Sequence, residues 1–292
     1  MCIRDSRILL WGTYMTMNEN NPLRQFFRRP AVSISLPSGG DSYAEGIIEW
    51  PDEGKELPVF PMTAIDEITT KTPDALFNGS AMVEIIKSCV PAIKDPWKIL
   101  STDLDTVLIS IKAAGGQETI DVDSTCEKCG EEGTYGINLQ VLLQSLQAGD
   151  YETPLKFGEL EIYYSPLNYK QMNDAGLKQF EIQAKYKGLG DIEDQTERAK
   201  VSAEALKDIT VLTMEILSDT IVKIVTPEGE VRESEHMLDF LRNADTKTYE
   251  TIRDRNTELR EKSTIKPLTI TCEACSHVYE QPFTLNASDF FV

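Results

Sequence analysis

Cys126-Glu-Lys-Cys129-Gly130 and Cys272-Glu-Ala-Cys275 are two short stretches of one kind, set far apart in the chain. Two thiols three residues apart on a tight turn reach the same side, where one metal ion can take both. Two such turns supply four ligands, the full tetrahedral shell of a structural zinc. A shell of four protein sulfurs leaves no position for a substrate.

The 142 residues between Cys129 and Cys272 exceed the spacing of a compact ribbon. The flanks argue that the two halves still meet. Ile120 and Val122 alternate with polar residues before the first pair, and Tyr135, Ile137 and Leu139 do so after it. That pattern predicts a hairpin with the thiols at its tip. The second pair repeats it, with Leu268 and Ile270 leading in, Val278 following, and Phe283 and Leu285 on the way out. Cys126, Cys129, Cys272 and Cys275 are therefore expected to close on one zinc ion, with a mainly helical insertion held between them. Three other uses of these thiols are open: a redox dithiol at either pair, two metal sites completed by partner chains, or an iron centre with the same four-cysteine shell. No β-α-β pattern surrounds either pair, which disfavours the first. His277 stands two residues past Cys275 and reads as a surface histidine on the outgoing strand.

The chain has 292 residues, of which 41% are hydrophobic, enough to build one large or two ordinary cores. Its 48 acidic and 29 basic residues give a formal charge of −19, which repels a phosphate backbone. Protein partners are expected, with no nucleic acid. Four of the six cysteines have metal-type spacing, which fits a reducing compartment better than a disulfide framework. Cys89, on an apolar helix face, reads as a small core residue. No apolar run is long enough to span a bilayer, and Ile8-Leu9-Leu10-Trp11 is too short for a secretory core. Met1-Cys2-Ile3-Arg4-Asp5-Ser6 resembles a translated sequencing-adapter remnant, so residues 1–16 read as a non-native leader, with translation starting at Met15 or Met17.

Residues 17–61 read as an arm with a small β segment. Phe26-Phe27-Arg28-Arg29-Pro30 is either a docking arm or a solvated linker anchored by two rings. Val32, Ile34 and Leu36 alternate as a strand before the turn Pro37-Ser38-Gly39-Gly40. Ile47, Ile48 and Trp50, then Leu57, Val59 and Phe60, suggest further short strands, with Pro58 confining the last to an edge.

Residues 62–149 carry helical signals. Thr72 caps a helix entered by Pro73 and Asp74, and Ser80 caps a second with the stripe Met82, Val83, Ile86, Cys89 and Val90. A third starts at Ser101 or Thr102, with Asp103 and Asp105 in its first turn and Leu104, Val107, Leu108 and Ile111 on its buried side. Asn138 caps a fourth.

Residues 150–264 form the insertion. A hairpin turns at Gly158, helices run from Tyr169 to Tyr186 and from about Ile192 to Leu217, and a second hairpin turns at Thr226-Pro-Glu-Gly229. In the second of those helices Val201, Ala205, Ile209, Leu212 and Ile216 should face a core. A helix over Ser234–Leu241 precedes one capped by Asp245, where Tyr249, Ile252, Asn256 and Leu259 form either a docking seam or an internal packing face. Residues 265–292 carry the second knuckle and a tail. The fold class is α+β, a helical body with short β-hairpins and a split four-cysteine zinc ribbon.

Three fragments together resemble a known family. They are Pro30-Ala-Val-Ser-Ile-Ser-Leu-Pro-Ser-Gly39; Pro61-Met-Thr-Ala-Ile-Asp-Glu67 with Lys71-Thr-Pro-Asp-Ala-Leu-Phe-Asn-Gly79; and the cysteine turns with the exit Gln281-Pro-Phe-Thr-Leu-Asn286 and Asp289-Phe-Phe-Val292. This joint pattern is similar to the baseplate hub assembly proteins of T-even-type contractile-tailed bacteriophages, above all the marine versions. It covers roughly Asn21 to Gly149 and the last 25 residues. The resemblance implies a protein that builds the tail hub by binding other hub or tape-measure proteins, and that is not an enzyme. It implies a place in the host cytoplasm during assembly, either as a chaperone or on the way into the virion baseplate.

The residues themselves show no catalytic constellation. His236 and His277 are the two histidines, neither with an evident nucleophile, and neither a phosphate loop nor His-Glu-x-x-His occurs. No small-molecule substrate and no membrane partner is expected. The alternative function is a zinc-ribbon regulator bound to transcription or translation machinery, which gives no role to the Pro61–Glu67 and Lys71–Gly79 segments.

Overall fold

The computed structural model describes residues 21–51, 53–71, 77–188 and 194–285. The leader, the cap at Thr72 with Pro73 and Asp74, the helix start near Ile192 and the tail from Asn286 lie outside the described residues.

The expected α+β body with short hairpins is the one observed, and its apolar side chains gather in two clusters. The first takes buried residues from Ile34 to Leu146 and then from Ile265 to Tyr279. The second takes residues from Ile162 to Leu259.

Strand β1 (Val32–Ser35) pairs antiparallel with β2 (Glu56–Val59), with Ile34 opposite Leu57. The sheet has two strands, so Pro58 sits on an edge, where its missing N–H costs no ladder bond. Ile48 makes an isolated bridge to Ile93 in place of the further strand expected there. Ahead of β1, Phe26 and Phe27 are exposed. The anchor of this arm is instead Arg28, whose guanidinium donates to Pro61 O, Ser88 O and Ser88 Oγ and lies over the Phe60 ring. A guanidinium with five donors finds fixed carbonyls where a ring on a short arm finds only water.

Helix α1 (Ala64–Thr70) is closed by a capping box between Thr63 and Asp66. For α2 (Ser80–Cys89) the structure corrects the cap. Gly79 holds the N-cap position at φ 77°, Asn78 Oδ1 accepts from Ser80 N, and Ser80 is the first helical residue. A side chain at Gly79 would meet Asn173 Oδ1 at 2.6 Å, so backbone conformation and close packing both select glycine there.

Helix α3 (Ser101–Ala114) is the centre of the first cluster. Ten of its fourteen residues are buried, more than the single face its apolar stripe predicts, because neighbours cover it on several sides. Asp103, in the first turn as expected, is fully buried and accepts from Ser38 N at 2.9 Å, Ser38 Oγ at 2.6 Å and Tyr43 Oη at 2.6 Å. Burial raises its pKa, and these three donors oppose that rise. From α3 the chain enters β3 (Thr119–Thr125) and β4 (Glu132–Asn138), then α4 (Leu139–Ser145), with Asn138 capping as expected.

The inserted stretch contains both expected hairpins. Strands β5 (Leu155–Phe157) and β6 (Leu160–Tyr164) form one hairpin, and β7 (Ile221–Thr226) and β8 (Gly229–Val231) another. The hairpins join through β6 and β7 into one four-stranded sheet, where buried Ile162 faces buried Ile224. Between them run α5 (Tyr169–Lys185) and α6 (Gln195–Asp219). The expected core stripe of α6 is corrected. Only Leu212, Leu217 and Ser218 are buried, while Ile209 is 50% exposed, because α6 runs on past the end of α5: the ion pairs between the two helices reach no nearer its N-terminus than Asp208. Lys178–Glu215 and Lys185–Asp208 pairs, each at 2.7 Å, tie the two helices along their solvated sides. Helices α7 (Ser234–Asn243) and α8 (Thr246–Ser263) complete this half. Ile252 and Leu259 of α8 are buried in the second cluster, so this face serves internal packing, and Asn256 is buried beside them.

The halves meet where Ser101 N donates to Leu167 O and Tyr169 N to Ile99 O, beside the stacked Trp97 and Tyr169 rings. Strands β9 (Leu268–Thr271) and β10 (Val278–Gln281) then return the chain to the first cluster. Among the described residues no helix is long and apolar enough to cross a membrane.

Candidate metal centre

Each thiol pair sits on a turn at the tip of a hairpin, and the two turns are built alike. In the first, Cys126 N donates to Glu131 O and Gly130 N to Cys126 O, both at 2.8 Å. In the second, Cys272 N donates to His277 O at 2.9 Å and Ser276 N to Cys272 O at 2.8 Å. The residue after the second cysteine takes a left-handed conformation in both, Gly130 at φ 73° and Ser276 at φ 55°. Glycine adopts this freely and serine adopts it under strain.

The turns face each other. Cys126 Sγ lies 3.7 Å from Cys275 Sγ, and Cys129 Sγ lies 3.6 Å from Cys272 Sγ, with all four sulfurs within 4.8 Å of one another. A disulfide needs about 2.05 Å between sulfurs. A tetrahedron with metal–sulfur bonds of about 2.3 Å has edges of about 3.8 Å. The observed separations match the second geometry, so the four thiols are close enough to ligate one metal ion. Cys126 and Cys272 are buried, Cys275 is half-buried and Cys129 is exposed. Burial works against a Cys126 thiolate, but the main-chain amides of Cys129 and Lys128, together with the thiols of Cys129 and Cys272, hold the thiol near pKa 7. Glu131 N favours a Cys129 thiolate, yet the neighbouring thiol of Cys275, burial, and the thiols of Cys126 and Cys272 push it up to about 12.

All four sequence-predicted ligand residues are thus brought together. His277 is half-buried, stacks on Tyr279 at 6.1 Å and stands outside the sulfur cluster. His236 lies exposed beside Glu233. Cys89 is fully buried in the first cluster, and burial pushes its thiol up to about 11. Sequence reasoning missed a polar weld beside the thiols. Buried Ser124 of β3 shares a 2.9 Å hydrogen bond with Tyr279 Oη and donates to Gln281 Oε1 at 2.7 Å, both on β10. Ser124 and Tyr279 lie two residues before the first cysteine of one turn and four after the second cysteine of the other, a spacing that no single fragment reveals. The left-handed site was legible from the aligned positions of Gly130 and Ser276.

This is a mixed helix and hairpin chain in which four clustered cysteines bring the second hairpin against the first. Over residues 45–292 it matches the family described as T4 bacteriophage base plate protein, and the chain belongs to that family. No curated protein and no solved structure gives a significant match. The family supports a structural role in the baseplate.

Proposed function

We propose that the protein is a component of the central hub of a contractile-tail baseplate, binding other hub or tape-measure proteins, and that it is not an enzyme. The family match over residues 45–292 carries this reading. Cys126, Cys129, Cys272 and Cys275 hold one structural zinc ion, whose shell they fill without an open position. Such an ion would fix the second hairpin to the first and so hold residues 150–264 as an inserted unit between them. The chain acts in the host cytoplasm during tail assembly and takes its place in the virion baseplate. The family match favours this account over a zinc-ribbon regulator of transcription or translation.

The test is co-expression with the hub and tape-measure proteins of the same phage, followed by affinity capture and metal analysis. A stable complex and one zinc per chain are expected. A chain that captures none of those proteins overturns the assembly role, and a metal-free or iron-loaded chain overturns the zinc assignment.

A further inference from the structure

A second site lies where the two clusters meet. A cavity of about 380 Å³ opens between the first turn of α3, the Ser165–Leu167 lead-in to α5 and the C-terminal half of α8. Among the described residues, three buried side-chain polar atoms have no hydrogen-bond partner: Thr102 Oγ1, Thr106 Oγ1 and Asn256 Oδ1. Thr102 and Asn256 line this cavity, and they are only 4% and 6% exposed. Asp105 lies three residues past Thr102 on the same face of α3 and lines it too, with no hydrogen bond or ion pair among the described residues. The nearby hydroxyls of Thr220 and Ser263 already donate to Leu217 O and Leu259 O. The cavity therefore holds three groups able to accept a hydrogen bond, the Asp105 carboxylate, Asn256 Oδ1 and Thr102 Oγ1, none of which is paired within the described residues.

Unmet buried acceptors cost stability, and those that converge on one space call for a shared donor. Burial alone accounts for the raised pKa of Asp105, near 6, so it has no counterion of its own. Arg260 also lines the cavity, but it is exposed on α8 and its charge acts on the Tyr151 phenol. The chain's charge of −19 favours a cation as the missing group.

We propose that this cavity receives an alkylammonium or guanidinium group, which donates to Asp105, Asn256 and Thr102 together. An ammonium offers three N–H groups and a guanidinium five, enough for all three acceptors. Leu167, Met172 and Ile216 on the wall cover its aliphatic stem. The group comes from a lysine or arginine side chain of a partner protein, a source that rests on the baseplate reading, or from a free polyamine, which does not. Because both clusters contribute walls, a bound cation bridges them.

The test uses the full chain, titrated separately with N-acetyl-lysine methylamide, spermidine and the neutral N-acetyl-norleucine methylamide, and followed by amide NMR. At least one cation is expected to shift the amides of residues 101–105 and 256–264, with no response to the norleucine compound. Asp105→Asn should weaken that binding about tenfold or more, while its thermal midpoint at pH 7 rises, which separates lost binding from lost folding. Binding of the capped lysine identifies a partner side chain; binding of spermidine alone identifies a polyamine. No response to either cation, an equal response to norleucine, or unchanged binding by the Asp105→Asn variant overturns the proposal and leaves the cavity to water. Metal content and hub capture are read separately, so either reading can fail without the other.

Discussion

The Ser124 hydroxyl and the Tyr279 phenol oxygen lie 2.9 Å apart in a buried contact that spans 155 residues of chain. This bond joins β3 to β10 without using a thiol. Tyr279→Phe should therefore cost about 1 kcal/mol in urea unfolding while leaving the bound metal unchanged. Metal loss as complete as that of a cysteine variant would show that the two links are not separate.

The thiols should carry far more. Cys126→Ser and Cys275→Ser are each expected to abolish metal binding and lower the melting temperature sharply, since a structural zinc site contributes on the order of 10 kcal/mol in small peptides. Cys89→Ala, in the same hydrophobic cluster, should cost only about 1 kcal/mol of packing. Equal thermal shifts for the three variants would count against the metal assignment. A strong chelator should lower the melting temperature of the native chain and have no effect on the serine variants.

The equivalence of Gly130 and Ser276 gives a prediction of opposite signs. Replacing Ser276 by glycine relieves a left-handed serine and should stabilise by about 0.5–1 kcal/mol. Gly130→Ala meets no atom within 4 Å, so its cost is backbone strain alone, about 1 kcal/mol. Differential scanning calorimetry on the metal-loaded chain measures both.

Asp105 gives a pH dependence. Its folded pKa stands near 6 against an ordinary value of 3.8, so between these the folded chain keeps a proton that the unfolded chain has released. Stability contributed by this group therefore falls as pH rises from about 4 to 6 and is flat above. Asp105→Asn should remove that decline and stabilise the chain at pH 7 by on the order of 2 kcal/mol. Urea unfolding at pH 4 and pH 7 compares the two; an equal decline in the variant would assign the effect to another group.

Local signals in the sequence carried much of this structure. The alternation of Ile120 and Val122 with Tyr135 and Ile137 predicted the first hairpin, and the Cys-x-x-Cys repeat predicted its meeting with the second. What was not legible depends on contacts between distant segments. Asp103 looks like a helix-dipole residue until Ser38 and Tyr43 fold over it. Ile209 looks like core by period, yet it is left half exposed. The pairing of β6 with β7 joins hairpins separated by two long helices, and neither hairpin alone names its neighbour. The box Thr63-Ala-Ile-Asp66 was readable as a helix start.

The first cluster closes only with side chains that lie beyond Ile265. On a ribosome adding about 5–20 residues per second, the stretch between Leu146 and Ile265 takes roughly 6 to 24 s to appear. Through that interval the nascent chain carries one thiol turn without its mate and the first cluster without its last two strands. The inserted half, whose own cluster ends at Leu259, has all its parts earlier. The half that begins first is thus the half that matures last.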